Sequence, residues 1–474
     1  MALIKDIRFW IVLFFAVRLY GITQPPLEIG HNWRQSTVAM VARNFYEGDA
    51  RIAYPKIDIA GEKTGITGME FPVFNYLIYG TSEVFGYAHW YGRLINLFFS
   101  SIGLWFFYLL IRRYFQSYIA FYSTIILLFS IWFRFSRKVM PDTFSMSFIL
   151  AALYFGLLFL ESKDRRRQIL NLALFVATFA VGSLSKIPSA FLMVLFIPVY
   201  LQMGIPPIRK LVLAVAGAVV AVAVYYWYYV WVPHLVETYG FWHFFMGKSM
   251  SDGANELLLH WSDGLSNFYD KPLKFIGFVA VLFGLIFAFR VKDKKLIYIF
   301  TLAFAAFFVI MLMAGETFTK HDYYIIPFTP VLALCAGYGL NQIQSIRVRI
   351  VLLAAIVLEL LGAQYFDFRI KPDYTYLSSI ETELDSISSR NDLFLINSGP
   401  SPTAMYFAHR KGWVAKNNQI TNPDYITNLR AKGLEYVLVL KQAFGTECYP
   451  NLPLILDKPE YKVYRVGASK NIHK

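Results

Sequence analysis

Eleven apolar stretches organise the sequence, at residues 8–22, 91–111, 116–135, 144–161, 168–183, 187–203, 211–231, 274–290, 295–314, 323–343 and 348–366. Each approaches the roughly 17 to 25 residues that a helix needs to cross a bilayer. With 57% of its 474 residues hydrophobic and only 16% charged, the chain has too little polar surface for a soluble fold and reads as an all-α polytopic membrane protein. The first stretch follows Lys5 and Arg8 as a signal peptide would. No small-residue cleavage site comes after it and Arg18 interrupts it, so it reads as an uncleaved first helix.

The net charge of +14 sits mostly in short loops between these stretches, where Lys and Arg set topology and meet anionic lipid. That placement argues against nucleic acid as a partner. With the N-terminus in the cytoplasm, the inner loops carry Arg112-Arg113, Lys163 with Arg165 to Arg167, Arg209-Lys210, Arg290 with Lys292, Lys294 and Lys295, and Arg347 with Arg349. The long segments 23–90, 232–273 and 367–474 and the turns 134–142 and 315–322 then face outward, together with all eight histidines. Cys335 and Cys448 lie in surroundings too different for a disulfide, a redox pair or a metal site.

Two domains are expected: a transmembrane domain over 1–366, with interfacial helices in the 23–90 loop, and a small extracytoplasmic α/β domain over 367–474. In the second, "DLFLIN", "EYVLVL" and "YKVYRV" read as strands and "YLSSIETELDSISS", "TAMYFAHR" and "PDYITNLRAKG" as helices, the alternation of an α/β layer. Asn397-Ser398-Gly399-Pro400, between a strand and a helix, reads as a plain turn rather than an anion site.

Charges at membrane depth are costly unless they face a cavity or a partner, so their positions are informative. The first outer loop gathers Glu28, His31, Trp33, Arg34 and Gln35 in "EIGHNWRQST". In the following "STVAMVARNFYEG", Val38, Val41, Ala42 and Phe45 share one face, which predicts an amphipathic helix lying on the membrane surface. Met69 to Gly86 predicts a second interfacial helix or a shallow re-entrant one. Arg18 and Arg93 stand at outer helix ends, where long side chains can snorkel to the interface.

The turn "FRFSRKVMPDTFSM" gathers Arg134, Arg137 and Lys138 on the outer side, with Asp142 opening a helix. A helix-start carboxylate favoured by the macrodipole is the plainer reading of Asp142. Lys186 in "SLSKIPSA" and Lys320, His321, Asp322 and Tyr323 in "TKHDYY" add cations, an imidazole and a carboxylate, with ordinary solvated turns as the alternative. Converging cations suit a phosphate or diphosphate, and carboxylates beside them can act as general base or metal ligands. Residues 232–273 mix aromatic side chains with His243, Lys248, His260 and Asp263, a composition that fits a mobile lid stacking on sugar rings or an aromatic membrane belt.

In order along the chain, "AVRLYGI", "VARNFYEGD", "FPVFNYLIYGTSEVFG" with "YGRLINLFFS", "SRKVMPDTFSMSFILAAL", "GSLSKIPSAF" and "HDYYIIPFTPVLAL" resemble segments of the GT-C glycosyltransferases. The similarity is to the branch that contains the lipid A aminoarabinose transferases and the protein O-mannosyltransferases. The resemblance implies a GT-C fold in a bacterial inner membrane. It implies transfer of a sugar, with inversion, from a polyprenyl-phosphate donor to a lipid, glycan or protein acceptor on the periplasmic face, lipopolysaccharide among the candidates. Such chemistry needs a carboxylate to take the acceptor proton and cations to hold the departing phosphate.

Two departures from the family pattern stand out. Where relatives open the first interfacial helix with an acidic pair, this chain has Arg34-Gln35, and where they carry Lys before the proline of the second, it has Glu70-Phe71-Pro72. A charge swap would give Arg34 the phosphate-holding or pairing role and Glu70 the carboxylate, with Glu28 or His31 as alternative bases. The resemblance thus implies Glu70, Glu28, His31 and Asp142 as catalytic candidates and Arg34, Arg137, Lys138, Lys186, Lys320 and His321 as phosphate ligands. Trp33, Gln35, Asp322, Tyr323, His243 and His260 are candidate substrate contacts. No cofactor is expected, and a divalent metal loses its usual acidic pair. A polyprenyl-linked glycan flippase would instead show interrupted helices in two similar halves. An O-antigen ligase or polymerase would carry its large outer loop late in the chain, whereas the longest loop embedded here is the first.

Overall fold

The computed structural model of the chain describes residues 3–240 and 247–467. Helix α1 (Ile7–Arg18) starts where the Asp6 carboxylate accepts from the Arg8 amide. Helices α2 (Asn32–Glu47) and α3 (Val73–Phe85) occupy the first long segment. Helix α4 (Tyr91–Tyr114) ends on Arg112 and Arg113, cations that suit a helix C-terminus. Helix α5 (Ser117–Phe129) stops at Ser130, whose hydroxyl caps the short α6 (Ile131–Phe135). Helix α7 (Pro141–Glu161) opens on a proline, and α8 (Arg165–Ser185) is capped by Asp164.

A 3-10 stretch, Ile187–Leu195, leads into α9 (Phe196–Tyr200), and α10 (Pro207–Tyr225) continues through a π-helical segment into α11 (Val232–Tyr239). Then come α12 (Met250–Leu259), α13 (Trp261–Tyr269), α14 (Lys274–Val291) and α15 (Lys294–Ala314), the last capped by Asp293. Helices α16 (Glu316–Lys320), α17 (Thr329–Gln342) and α18 (Ile346–Gln364) complete the apolar part.

All eleven expected spans are helical over most of their length. Among the described residues, six helices are long and apolar enough on their own to cross a membrane: α4, α7, α8, α10 with its continuation, α14 and α15. The other five fall short, for local reasons. Helix α1 has only 12 residues. The 116–135 stretch breaks at Ser130, the 187–203 stretch tightens into 3-10 geometry around Pro188, and the 323–343 stretch becomes helical only at Thr329, beyond Pro327. Prolines remove the amide that a continuous helix needs. In α18, Arg347, Arg349 and Glu359 interrupt the apolar run. The window of α7 is 78% buried against 22% for α14 and α15, so α7 lies at the centre of its bundle while α14 and α15 turn apolar faces outward, as toward lipid.

The chain divides into two compact units. The first comprises Met1–Ile22, Gly92–Trp231 and Phe245–Tyr365 and holds the spans. The second joins Thr23–Tyr91, Val232–Phe244 and Phe366–Lys474. In it, helices α19 (Leu377–Asp385), α20 (Thr403–Ala408), α21 (Asn417–Ile420) and α22 (Pro423–Ala431) accompany a five-stranded sheet. The strands β1 (Leu393–Ile396), β2 (Lys411–Val414), β3 (Leu434–Leu440), β4 (Leu454–Asp457) and β5 (Tyr461–Arg465) lie in the order β2-β1-β3-β5-β4. The first three are parallel and the β3–β5 and β5–β4 pairs antiparallel, with Phe394 opposite both Gly412 and Tyr436, and Val437 opposite Tyr464. Gly412 adopts a φ of 153° and a Cβ there would collide with the Phe394 carbonyl, so β2 needs glycine to reach β1. The sheet confirms an α/β C-terminal region.

Helix α2 forms where the apolar spacing places it, and Gln35 through Arg43 are buried without interruption. Outside 241–246, residues 232–273 are mostly helical, as α11, α12 and α13. Arg18 and Arg93 do not snorkel, being 3% and 0% exposed; the Arg18 guanidinium lies 4.3 Å over the Phe133 ring.

Candidate active site

In the membrane-spanning unit, the candidate residues gather at the start of α7 and the end of α8. Asp142 sits in the first turn of α7 and Lys186 follows the last turn of α8, and their side chains form an ion pair, both almost wholly buried. The second Asp142 oxygen is buried without a hydrogen-bond partner among the described residues. The plainer reading of Asp142, a helix-start carboxylate, does not account for a lysine brought to it from another helix. The Lys186 ammonium also lies 4.7 Å from the Tyr323 ring centre and 5.3 Å from that of Tyr324, within cation–π range.

Those tyrosines form an aromatic shelf. His321 stacks on Tyr323 at 5.2 Å, and Phe135 meets Tyr323 edge-on at 6.1 Å. Arg134 pairs with Asp322 and lies 4.7 Å over Phe135, and the Lys138 ammonium is 6.0 Å from the same ring. Arg137 donates to the Tyr20 carbonyl. The turn that carries these cations is held by Asn96 of α4. Its amide lies 2.9, 2.8 and 3.1 Å from the Phe135, Lys138 and Met140 carbonyls, while its oxygen accepts from Thr143 at 2.9 Å and Ser100 at 3.0 Å. Asn96 was not among the expected site residues. Its signal was a carboxamide three positions after Arg93 and four before Ser100 in an apolar run, a polar stripe on one helical face.

Two candidates stand apart from this cluster. Lys320 is 62% exposed and pairs with Glu316 at 2.8 Å. His260 is 43% exposed and reaches the same carboxylate at 3.5 Å. His243 lies outside the described residues.

The second unit holds the other set. Arg34, in the first turn of α2, forms an ion pair with Glu70, with side chains 11% and 7% exposed. The remaining Glu70 oxygen is buried without a hydrogen-bond partner among the described residues. Gln35 donates to the buried Glu28 carboxylate at 3.4 Å and Asn32 to the Glu28 carbonyl at 3.3 Å, while the Glu28 backbone bridges to Ile370. His31 caps α2 in the left-handed region, with a φ of 62° and no side-chain cap bond. That is an uncommon conformation for a residue with a Cβ. Trp33 is half-buried. Asn397, by contrast, serves structure: its amide and oxygen bind Leu440, Thr446 and Asn417.

Among the described residues no group of three or more His, Cys, Asp or Glu is close enough to hold a metal ion. Glu70 and Asp142 each carry an organic cation as partner, an arrangement that does not fit a divalent metal on either carboxylate.

Residues 69–231 match the family model described as dolichyl-phosphate-mannose-protein mannosyltransferase. No curated protein matches the chain in sequence. Among solved structures, ArnT from Cupriavidus metallidurans in the apo state is similar at 14% identity and a TM-score of 0.63, covering 97% of this chain and 98% of that one. The same protein bound to undecaprenyl phosphate is similar at 13% identity and a TM-score of 0.59, with the same coverage. The helical order, the C-terminal sheet and this end-to-end structural likeness show a GT-C fold in a multi-pass membrane protein, and the match over residues 69–231 indicates a glycosyltransferase.

Proposed function

We propose that the enzyme moves a sugar from a polyprenyl-phosphate carrier to a hydroxyl of a lipid, glycan or protein acceptor, on the periplasmic face of a bacterial inner membrane. The observation that carries this reading is the seat formed by Lys186, Arg134 and Lys138 around Phe135, Tyr323 and Tyr324: buried cations with aromatic surface beside them suit a phosphate joined to a sugar and a prenyl chain. The undecaprenyl phosphate bound by a solved protein of the same fold supports the carrier assignment.

In the reaction, the acceptor oxygen attacks the anomeric carbon from the face opposite the carrier. The bond from that carbon to the phosphate oxygen breaks, its electron pair stays on the phosphate, and configuration inverts. Cations fixed before the reaction stabilise the growing phosphate charge without reorganising. In this reading Lys186, Arg137, Lys138 and His321 supply that field. Glu70 takes the acceptor proton on the oxygen that Arg34 leaves free, while Arg34 holds the carboxylate in place. Glu28, His31 and Asp142 are the alternative bases, and Trp33, Gln35, Asp322 and Tyr323 the substrate contacts.

Mass spectrometry of surface glycans and lipid-linked sugars from host cells lacking the gene tests the proposal. A lipid-phosphate monosaccharide should accumulate while one glycan, lipid or protein loses a sugar. If neither pool changes, the proposal is contradicted.

A further inference from the structure

At the other end of the spanning helices lies a cavity of about 370 Å³ between α4, α7, the 187–200 segment, α15 and α17. Its body is apolar, walled by Leu150, Leu153, Leu157, Leu192, Val331 and Leu334. The polar residues of its lining belong to one end: Tyr114 at the last turn of α4, Gln202 after α9, and Lys294, Lys295 and Tyr298 in the first turns of α15. Lys295 reaches the Tyr114 carbonyl at 3.4 Å. Asp293, the nearest acid in sequence, is engaged in capping α15 and accepts from the Tyr338 hydroxyl at 3.0 Å. Lys294 is exposed and makes no ion pair among the described residues.

A cavity with these walls offers water too few polar partners, and left empty it forfeits dispersion contacts along its whole lining. An apolar chain suits the body and an anion suits the mouth. The end at which the anion would sit decides between amphiphiles. Arg113 near the end of α4 is paired with Glu161 at the end of α7, so the cavity mouth lies at the C-terminal end of α7. Asp142 and Lys186 lie at its N-terminal end, roughly 30 Å away at 1.5 Å per residue. An amphiphile with its phosphate at Lys294 and Lys295 therefore enters from the leaflet that meets the basic loops, opposite the proposed carrier seat.

We propose that this cavity is a lipid site that takes one acyl chain of an anionic phospholipid, with Lys294 and Lys295 holding the headgroup phosphate. Basic residues at a lipid surface are a general source of such selectivity.

Native mass spectrometry of the delipidated full-length protein, titrated with phosphatidylglycerol or phosphatidylcholine, tests this. The wild type should bind phosphatidylglycerol about tenfold more tightly, and K294Q/K295Q, altered only at exposed positions, should reduce that to the level of phosphatidylcholine. Leu153→Trp, which fills the cavity, should weaken both lipids. Equal binding of the two lipids by the wild type, or unchanged selectivity in K294Q/K295Q, overturns the proposal. So does displacement of phosphatidylglycerol by undecaprenyl phosphate together with loss of undecaprenyl phosphate binding in Leu153→Trp, since the cavity would then house the carrier's tail.

Discussion

Lys186 and Asp142 join the end of α8 to the start of α7 through an ion pair enclosed within the membrane-spanning unit. Removing one partner strands the other charge, and removal of half a buried pair costs about 3–5 kcal/mol. Lys186→Met should therefore lower the unfolding midpoint in detergent sharply and abolish transfer. The double variant K186M/D142L should recover most of the stability, since no lone charge remains, yet stay inactive. A Lys186→Met protein as stable as the wild type would show that the pair carries no structural weight.

Asn96 tests whether the cation turn must be rigid. Asn96→Leu orphans carbonyls of residues 135, 138 and 140, each buried polar group left unmade costing about 1–3 kcal/mol. Steady-state kinetics should show a rise in the donor KM, because Arg137 and Lys138 lose their fixed backbone. Asn96→Asp, which keeps the acceptor for Thr143 but loses the amide donors, should sit closer to Asn96→Leu than to the wild type. An unchanged donor KM in both variants would contradict the positioning role.

Arg34 and Glu70 predict a different pattern. Glu70→Gln keeps the shape and removes the base, and loss of a general base typically costs 10²–10⁴-fold in rate, read as kcat at saturating donor. Arg34→Gln should lower kcat as well, because it leaves Glu70 without the cation that orients it. If Glu70→Gln keeps its kcat while Glu28→Gln loses it, the base is Glu28.

His409 gives the second unit a pH signature. Burial works against its charged form, but hydrogen bonds to Glu381 and Glu47, each 2.7 Å long, outweigh that and raise its pKa. Arg43 opposes the charge without reversing it, while Arg390 pairs with Glu381 and Asp385. Glu381 is in turn held down to about 2, chiefly by the His409 hydrogen bond. A raised histidine pKa stabilises the fold below the ordinary value and loses that effect as pH rises through the folded value. A lowered carboxylate pKa stabilises above its ordinary value and loses that effect as pH falls toward about 2. The difference in melting temperature between wild type and His409→Gln should therefore be largest between about pH 5 and 6.5 and shrink on both sides. A difference that grows steadily with pH above neutrality would contradict the assignment.

What could be read in advance follows the range of the interaction. Apolar runs announce helices because burial acts on every residue of a span, and length misled where Ser130, Pro188 or Pro327 punctuate a run, where α1 stops after 12 residues and where charges interrupt α18. Strand β3 declares itself because six of its seven residues are buried. Strands β2 and β4 have four residues each, and β2 depends on a glycine whose purpose appears only when β1 lies against it. Arg34 and Glu70 could be suspected as partners because each departs from its expected charge in the opposite sense. Lys186 and Asp142, 44 residues apart, could be named individually but not paired, and Asn96 escaped because an amide in a membrane helix carries no net charge to mark it. Lys320 looked equivalent to Lys186 in sequence, yet it is exposed and pairs with Glu316 while Lys186 is buried against Asp142.

Transfer from a synthetic polyprenyl-phosphate sugar by the purified, full-length protein, followed as release of polyprenyl phosphate in the presence of envelope extract, bears most directly on the catalytic assignment. Wild-type protein should release polyprenyl phosphate and form a glycosidic bond of inverted configuration, and equally well-folded Glu70→Gln should not. Equal release by both proteins would remove Glu70 as the base, and absence of turnover with every polyprenyl-phosphate sugar supplied would contradict the donor class itself.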